Sequence, residues 1–354
     1  MARRYDAWLA DPASGTSKTA AVTWIVSTGQ TMKIQRIWVD ETPLESILPL
    51  LAGRAELVGP GAAIEKLSTC DAALDPGVPW TATRMDFGPK LQVISRIGVG
   101  IDNIDIPAAT ARGIYVCSTP LAPSQSTAEH AVGLIFATAK SLLQADTATR
   151  SGRWHANFRS HKGLELHSRV LGLVGAGRIG STVAQIMRSV GMQVLVFDPG
   201  LASARATELG AQLVPDLRSL LEQSDVVSLH APSTPATRHL MNAERLAWMK
   251  CGAILVNTAR GALVDEAALT AALKSGHLAA AGLDVFEREP VDPENPLLKL
   301  TNVVLTDHIA SHTWAGHHRL YETAVRHALA VLDGEFPPAV LNPECHGPAA
   351  LRVR

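Results

Sequence analysis

Four cysteines in 354 residues, Cys70, Cys117, Cys251 and Cys345, lie far apart and form no C-x-x-C pair. Neither a zinc site nor a disulfide framework is expected from them, no metal is expected, and a reducing cytoplasm is the expected compartment. An excess of one charge is also lacking: 32 Lys plus Arg face 33 Asp plus Glu, for a net charge of −1. That balance leaves no global field to gather a polyanion, which argues against nucleic acid as a partner. No apolar run approaches the roughly 20 residues that span a bilayer, so no membrane helix is expected. Tandem repeats and low-complexity tracts are missing as well. What is present is 47% hydrophobic and 18% charged residues, a composition that fits sheets covered by helices on both faces. The length allows about two domains, each with its own core.

The most informative stretch is Gly175-Ala176-Gly177-Arg178-Ile179-Gly180. The apolar run Val170-Leu171-Gly172-Leu173-Val174 leads into it and a helical pattern follows. A glycine loop between a strand and a helix N-terminus lets backbone N–H groups approach a pyrophosphate, whose charge the helix dipole favours. A second strand, Met192 to Phe197, ends at Asp198, where a carboxylate can accept hydrogen bonds from an adenosine ribose. The βαβ unit for a dinucleotide is then complete.

Elsewhere the pattern is regular. Ile34 to Val39 and Leu91 to Ser95 read as strands, Pro43 to Leu51 as a helix, and Ser124 to about Thr149 as one long helix able to bridge two domains. Past Asp198, strands are expected at Asp225–Leu229, Ala253–Val256, Ala279–Leu283 and Val303–Leu305, with helical patterns between them and a final helix over Trp314 to Leu332. A doubly wound parallel sheet follows. Residues 1–32 carry Arg3, Arg4 and the short apolar patch Ala20–Val26, but Asp6 and Asp11 precede that patch. The segment reads as a flexible extension, or as sequence ahead of a start at Met32, rather than as a secretory signal.

Ligands of open parallel sheets bind beyond the carboxyl ends of the strands. Three polar residues fall there: Arg260 after Ala253–Thr258, Glu289 after Ala281–Phe286, and His308 after Val303–Asp307. Each alone could be an ordinary surface residue, but three at successive strand ends form a chemical set. Hydride transfer to a carbonyl carbon requires a proton at its oxygen, which an imidazole carries near neutral pH. A carboxylate beside the ring stabilises its protonated form, and an arginine fork can hold a substrate carboxylate while polarising the neighbouring carbonyl. His308 is therefore the candidate acid/base, Glu289 its partner and Arg260 the substrate-binding residue. His308 and His312 have i, i+4 spacing, but no third ligand or zincin pattern accompanies them.

From about Ile34 to Glu344 the chain resembles the D-isomer-specific 2-hydroxyacid dehydrogenases. The segments that carry the resemblance are Arg96–Asp105, Gly175–Gly180, Asn257-Thr258-Ala259-Arg260-Gly261, Gly282–Glu287 with Glu289-Pro290, and His308-Ile309-Ala310-Ser311. It implies two Rossmann-like or flavodoxin-like α/β domains. Residues 33–119 and 310–345 would form a discontinuous substrate domain, 120–309 an NAD-binding domain, and 346–354 a tail. It implies the same roles for Arg260, Glu289 and His308, and places the substrate carboxylate at the amides of Val99 and Gly100. The cofactor set becomes Gly175, Gly177, Arg178, Ile179, Gly180, Asp198, Ala231, Thr258, Ala259, Arg260, Asp284 and His308, with Asp284 near the nicotinamide carboxamide. A homodimer formed through the cofactor domains, with the loop around Trp154 taking part, is also implied.

Pro199 and Gly200 follow Asp198 where a base would pair a 2′-phosphate, so NAD is favoured over NADP, Arg205 being the nearby basic residue. Two departures from the family pattern stand out. Asp307 replaces a common proline before the histidine, adding a second carboxylate or loosening the hinge. Asp75-Pro76-Gly77 lacks the basic residue of phosphoglycerate-using relatives, and the chain ends at Arg354 without a regulatory domain, so neither a phosphorylated substrate nor amino-acid feedback is expected. The expected reaction interconverts a small D-2-hydroxy acid and its 2-oxo acid, of glyoxylate or hydroxypyruvate type, with NAD. The alternatives are D-3-phosphoglycerate oxidation and, in another class, an NADH-sensing corepressor-like binding protein.

Overall fold

Twelve strands among the described residues form two wholly parallel sheets. The computed structural model describes residues 34–154 and 163–345; the expected extension 1–32 and tail 346–354 lie outside them. The first half runs β1 (Gln35–Val39), α1 (Leu48–Leu51), β2 (Ala55–Val58), β3 (Ala72–Asp75), α2 (Ala82–Asp86), β4 (Val93–Arg96), α3 (Ile106–Ala111) and β5 (Tyr115–Cys117). Helices α4 (Ser124–Ala139) and α5 (Leu142–Arg150) lead into β6 (Val170–Val174), α6 (Arg178–Ser189), β7 (Gln193–Phe197), α7 (Ser203–Glu208), β8 (Gln212–Leu213), α8 (Leu217–Gln223) and β9 (Val226–Leu229). Then come α9 (Ala243–Trp248), β10 (Ala253–Asn257), α10 (Glu266–Lys274), β11 (Leu278–Leu283), β12 (Val303–Leu305) and α11 (Trp314–Leu332).

The small sheet has the order β2-β1-β3-β4-β5 and the large one β12-β11-β10-β9-β6-β7-β8. The first is the flavodoxin-like order. The second is the Rossmann order with one strand added, and its direction reverses between β6 and β9, which is where such sheets open a ligand crevice. Strand composition explains the burial: β3, β9 and β10 are buried at every position because helices cover both faces. Two apolar clusters line the faces of each sheet.

Helix α11 packs on the small sheet, not the large one, through Leu320, Tyr321, Ala324, Val325, Ala328 and Leu329. Buried polar bonds fasten it and the segment after it: Ser95 Oγ donates to Ala324 O at 2.8 Å, and the Asn342 carboxamide accepts from Val116 N and donates to Ile114 O. Helix α4 packs beneath β10, β11 and β12.

Two expectations need correction. The long helix over Ser124–Thr149 is two helices, with Ser141 between them at φ 51°. The incoming strand of chain ends the first: Leu164 N–H takes the carbonyl of Ala139 at 2.7 Å, and Lys140 Nζ donates to Leu164 O. The helix expected over Pro43–Leu51 is a short 3-10 turn, Glu45–Ile47, ahead of α1. Pro49 has no N–H to donate, so the α-helical turn restarts with it at the N-terminus.

Candidate active site

The glycine loop is built by close approach of backbone. Gly175 holds φ +92°, and a Cβ there would stand 2.9 Å from His230 O; a Cβ on Gly180 would stand 2.3 Å from Gly175 O. These two positions require glycine for packing. A Cβ on Gly177 would meet nothing within 4 Å, so the middle glycine faces open space at the N-terminus of α6. A groove of about 600 Å³ runs along this face, lined by Gly177, Arg178, Ser181, Leu201 and Arg205 among others. Asp198 ties the loop together, accepting from Ala176 N and Gly200 N at 2.9 Å each. Each carboxylate oxygen keeps acceptor capacity for a ribose hydroxyl. Ala231 lies against Gly175 across the switch point. Behind it, burial pushes the His230 imidazole down to about 4, so the ring is neutral. Its Nε2 pairs with Ser228 Oγ, while the buried Nδ1 has no partner. The Thr258 hydroxyl is likewise buried without a partner at the end of β10. The side-chain-free cradle and these two orphaned polar atoms beside it fit a dinucleotide.

At the end of β10, Asn257 shapes the next turn: its amide donates to Arg260 O at 2.9 Å and its oxygen accepts from Ala259 N at 3.0 Å. A Cβ on Gly261 would fall 1.9 Å from the Phe286 carbonyl, so only glycine lets this turn lie against the chain after β11. The Arg260 side chain is thereby directed at the small sheet. A Cβ on Gly100 would stand 2.0 Å from Arg260 Nη2. Arg260 Nη1 donates to Ala259 O at 2.7 Å, and Nε lies 3.4 Å from Asp102 Oδ2. The Gly98–Gly100 loop that it faces is held from below by Arg96. That side chain donates to Gly100 O at 2.9 Å and to Asp75 O at 3.0 Å, and pairs with the fully buried Asp75 carboxylate. Burial raises the Asp75 carboxyl, against the pull of Asn103, Arg96 and the Gly77 N–H.

His308 occupies a turn after β12, with φ 59° and its N–H donated to Asp284 O at 2.8 Å. This is a left-handed conformation rarely held by a non-glycine residue, and the fully buried Asp284 holds it. Its carboxylate accepts from Thr306 Oγ1 at 2.6 Å, Ile309 N at 2.9 Å and Ala310 N at 3.0 Å, with His130 Nε2 at 3.4 Å. Burial alone would raise the Asp284 carboxyl, but hydrogen bonds from His130, Thr306, Ile309 and Ala310 outweigh it and hold the group below its ordinary value. His308 Nδ1 lies 2.6 Å from Glu289 Oε2, and Glu289 Oε1 accepts from Phe286 N at 3.0 Å. Burial acts to raise Glu289. The bonds from His308 and Phe286 and the charges of His308 and Arg260 prevail, so it sits below its ordinary 4.5. With Nδ1–H given to Glu289, Nε2 is the ring atom left for chemistry.

The structure thus brings Glu289 onto His308, Arg260 onto Gly100, and Ala231 and Asp198 onto the glycine loop. Asp284 is fully buried, with all its hydrogen bonds inside the protein, so here it braces the histidine turn. Asp307 is exposed and forms no ion pair among the described residues. His308 and His312 share a turn instead of a helix face, and no metal-ligand group occurs among the described residues. Sequence reasoning missed the supports: Asp75, Arg96 and Asn103 under the Gly98–Gly100 loop, Asn257 under Arg260, and His130 and Thr306 behind Asp284. Asp75 and Arg96 stand at strand ends, a signal available beforehand. His130 lies mid-helix and carried none.

The fold and this site describe a nicotinamide-dependent oxidoreductase. Residues 132–310 match the model of the D-isomer specific 2-hydroxyacid dehydrogenase NAD binding domain. A glyoxylate reductase of Korarchaeum cryptofilum is 43% identical over 284 residues, which cover 79% of this chain and 85% of that protein. A D-3-phosphoglycerate dehydrogenase of Archaeoglobus fulgidus is 48% identical over 224 residues, 63% of this chain but 42% of that one. Among solved structures, the NADPH-dependent glyoxylate/hydroxypyruvate reductase of Sinorhizobium meliloti superposes with a TM-score of 0.78 at 30% identity, covering 87% of this chain and 97% of its own. The chain belongs to the D-isomer-specific 2-hydroxyacid dehydrogenases, oxidoreductases that use NAD.

Proposed function

We propose that the protein reduces a short 2-oxo acid of glyoxylate or hydroxypyruvate type to the D-2-hydroxy acid, the observation that carries this being the 2.6 Å bond between His308 and Glu289, whose carboxylate also feels the charge of Arg260, the side chain set against Gly100. The Gly175–Gly180 cradle would hold NADH, whose chemistry there would be to supply the hydride. The Val99 and Gly100 amides with Arg260 hold the substrate carboxylate, and the guanidinium polarises the adjacent carbonyl. His308 gives its Nε2 proton to the carbonyl oxygen, and Glu289 steadies the imidazolium before that transfer. NAD(H) is the proposed pair rather than the phosphorylated form because Asp198 holds a carboxylate against the glycine loop just past β7, where its charge would repel a 2′-phosphate, even though Arg205 lines the groove in an ion pair with Glu208. The similarity to glyoxylate reductases over most of both chains supports the substrate class ahead of phosphoglycerate.

The residue assignments belong to this reading, as do residues 33–119 with 310–345 as substrate domain, 120–309 as cofactor domain, a cytoplasmic setting and a homodimer. The packing of α11 on the small sheet supports the discontinuous domain. Leu142, Leu143 and Trp154 are exposed apolar residues that a partner copy would cover. The test is loss of NADH absorbance with a panel of 2-oxo acids: turnover of glyoxylate or hydroxypyruvate is expected, and turnover of 3-phosphooxypyruvate alone would refute the substrate assignment.

Glu289→Gln tests the pairing. Glu289 lies below its ordinary value, so it is ionised across the neutral range and its stabilising contribution disappears only as the pH falls through that lower value. Glutamine keeps the size but removes the charge that supports imidazolium. The alkaline limb of the kcat/KM profile for reduction is expected to move toward acid. An unchanged limb would remove Glu289 from the mechanism.

A further inference from the structure

Beyond the catalytic turn, a second chain of contacts leads into the small sheet. His312, whose N–H donates to Ile309 O at 2.8 Å in the turn that follows His308, stacks on His317, with ring centroids 5.7 Å apart and planes at 26°. His317 meets Tyr321 edge-on at 4.9 Å and 80°. The Tyr321 hydroxyl bonds the carboxylate of Glu41, two residues past the carboxyl end of β1. In register, Val39 pairs with Leu74 and Leu74 with Ser95, so Glu41, the Asp75–Gly77 turn and the Gly98–Gly100 loop all rise from the same edge of the small sheet. The charge of Glu41 is felt by Arg96, the side chain that supports Gly100. Nothing in the glyoxylate-type reaction uses this wall, because glyoxylate has no carbon beyond its carbonyl.

We propose that Glu41 and His317 form the subsite for the substituent on the carbon beyond the carbonyl, one that accepts a neutral hydroxyl and refuses a phosphate or carboxylate; this rests on the reaction proposed above. The hydroxyl donates to the Glu41 carboxylate and accepts from the imidazole N–H of His317. Burial and the neighbouring His312 lower His317, against the opposing charge of Glu41, so the ring is a neutral hydrogen-bonding group near pH 7. An anionic substituent would meet the Glu41 charge, and the cations nearby are already engaged. Arg84 pairs with Asp40 at 2.6 Å, Arg96 is held by Asp75 and Gly100 O, and Arg319 donates to Ala122 O at 3.0 Å. A site that hydrogen-bonds a substrate hydroxyl discriminates strongly against the analogue without it, because its own polar groups are then left unpaired.

The experiment measures kcat/KM with NADH for hydroxypyruvate, pyruvate, glyoxylate and 3-phosphooxypyruvate in the full-length protein and in Glu41→Gln, Glu41→Lys and His317→Phe. The unaltered protein is expected to favour hydroxypyruvate over pyruvate by about tenfold or more. Glu41→Gln, which can still bond Tyr321, and His317→Phe, which keeps the stacking, are each expected to reduce that ratio several-fold, mainly through KM. Glu41→Lys is expected to raise 3-phosphooxypyruvate relative to hydroxypyruvate. Ratios that stay constant across all three variants while glyoxylate is still reduced by the unaltered protein would overturn the subsite alone. Absence of turnover with every 2-oxo acid would overturn the reaction and the subsite together.

Discussion

Replacing His308 by alanine is expected to lower kcat by about 10²–10⁴-fold, the usual worth of a positioned general acid, while NADH still binds with its affinity nearly intact. The geometry separates the two effects. The glycine cradle is formed by Gly175, Gly177 and Gly180 against β9, and its tie is Asp198 on Ala176 N; none of these depends on the imidazole. The turn carrying His308 is held by Asp284 through Ile309 N, Ala310 N and Thr306 and by the backbone bond from position 308, all of which survive truncation. The loss should therefore fall on the proton transfer. Steady-state kinetics and NADH fluorescence titration on the same preparation check it. Retained turnover would show that another group supplies the proton. Loss of NADH binding together with turnover would indicate that the turn had collapsed, and Asp284→Asn would then be expected to reproduce that phenotype.

Arg260→Ala is expected to reduce kcat/KM by roughly 10³-fold, because two charge-assisted hydrogen bonds to the substrate and the polarisation of its carbonyl disappear together. Lysine should restore little, since a single ammonium cannot span carboxylate and carbonyl as a planar fork does. Gly100→Ala supplies the complementary test from the other side. Its Cβ would stand 2.0 Å from Arg260 Nη2, so the guanidinium must swing away while the backbone stays where Arg96 holds it. That variant is expected to fold with a near-unchanged thermal midpoint and to lose much of the same kcat/KM. If Arg260 serves both groups, a substrate analogue lacking the carboxylate should show a clearly smaller gap between the parent and the alanine variant than the full substrate does, the remainder being the carbonyl polarisation. An undiminished gap on the analogue would remove the carboxylate from the role of Arg260.

Much of the candidate site was legible because parallel α/β sheets put the residues that follow their strands in one predictable place. Arg260, Glu289 and His308 each follow a buried apolar run, and such a run buried on both faces delivers whatever comes next to the same edge of the sheet. The glycine spacing was informative for a related reason. Two of the three glycines are demanded by backbone approaches under 3 Å, and a sequence meets that demand with only one residue type. Local rules failed where a distant segment decided the outcome. The break at Ser141 has no proline or glycine to announce it; it exists because Leu164, more than twenty positions later, takes the last carbonyl of α4.

The same division runs through the site. Periodicity and strand-end position sufficed to nominate a dinucleotide loop, an acid/base histidine and a guanidinium, because these depend on neighbours close in the chain. Which small-sheet loop the guanidinium meets, how Arg96 and Asp75 hold that loop, and that Asp284 braces the His308 turn all depend on bonds across 21 to 26 positions or between the two sheets. Tertiary structure alone could decide them, since a buried carboxylate takes whichever N–H groups packing brings within reach, and packing is a property of the whole fold.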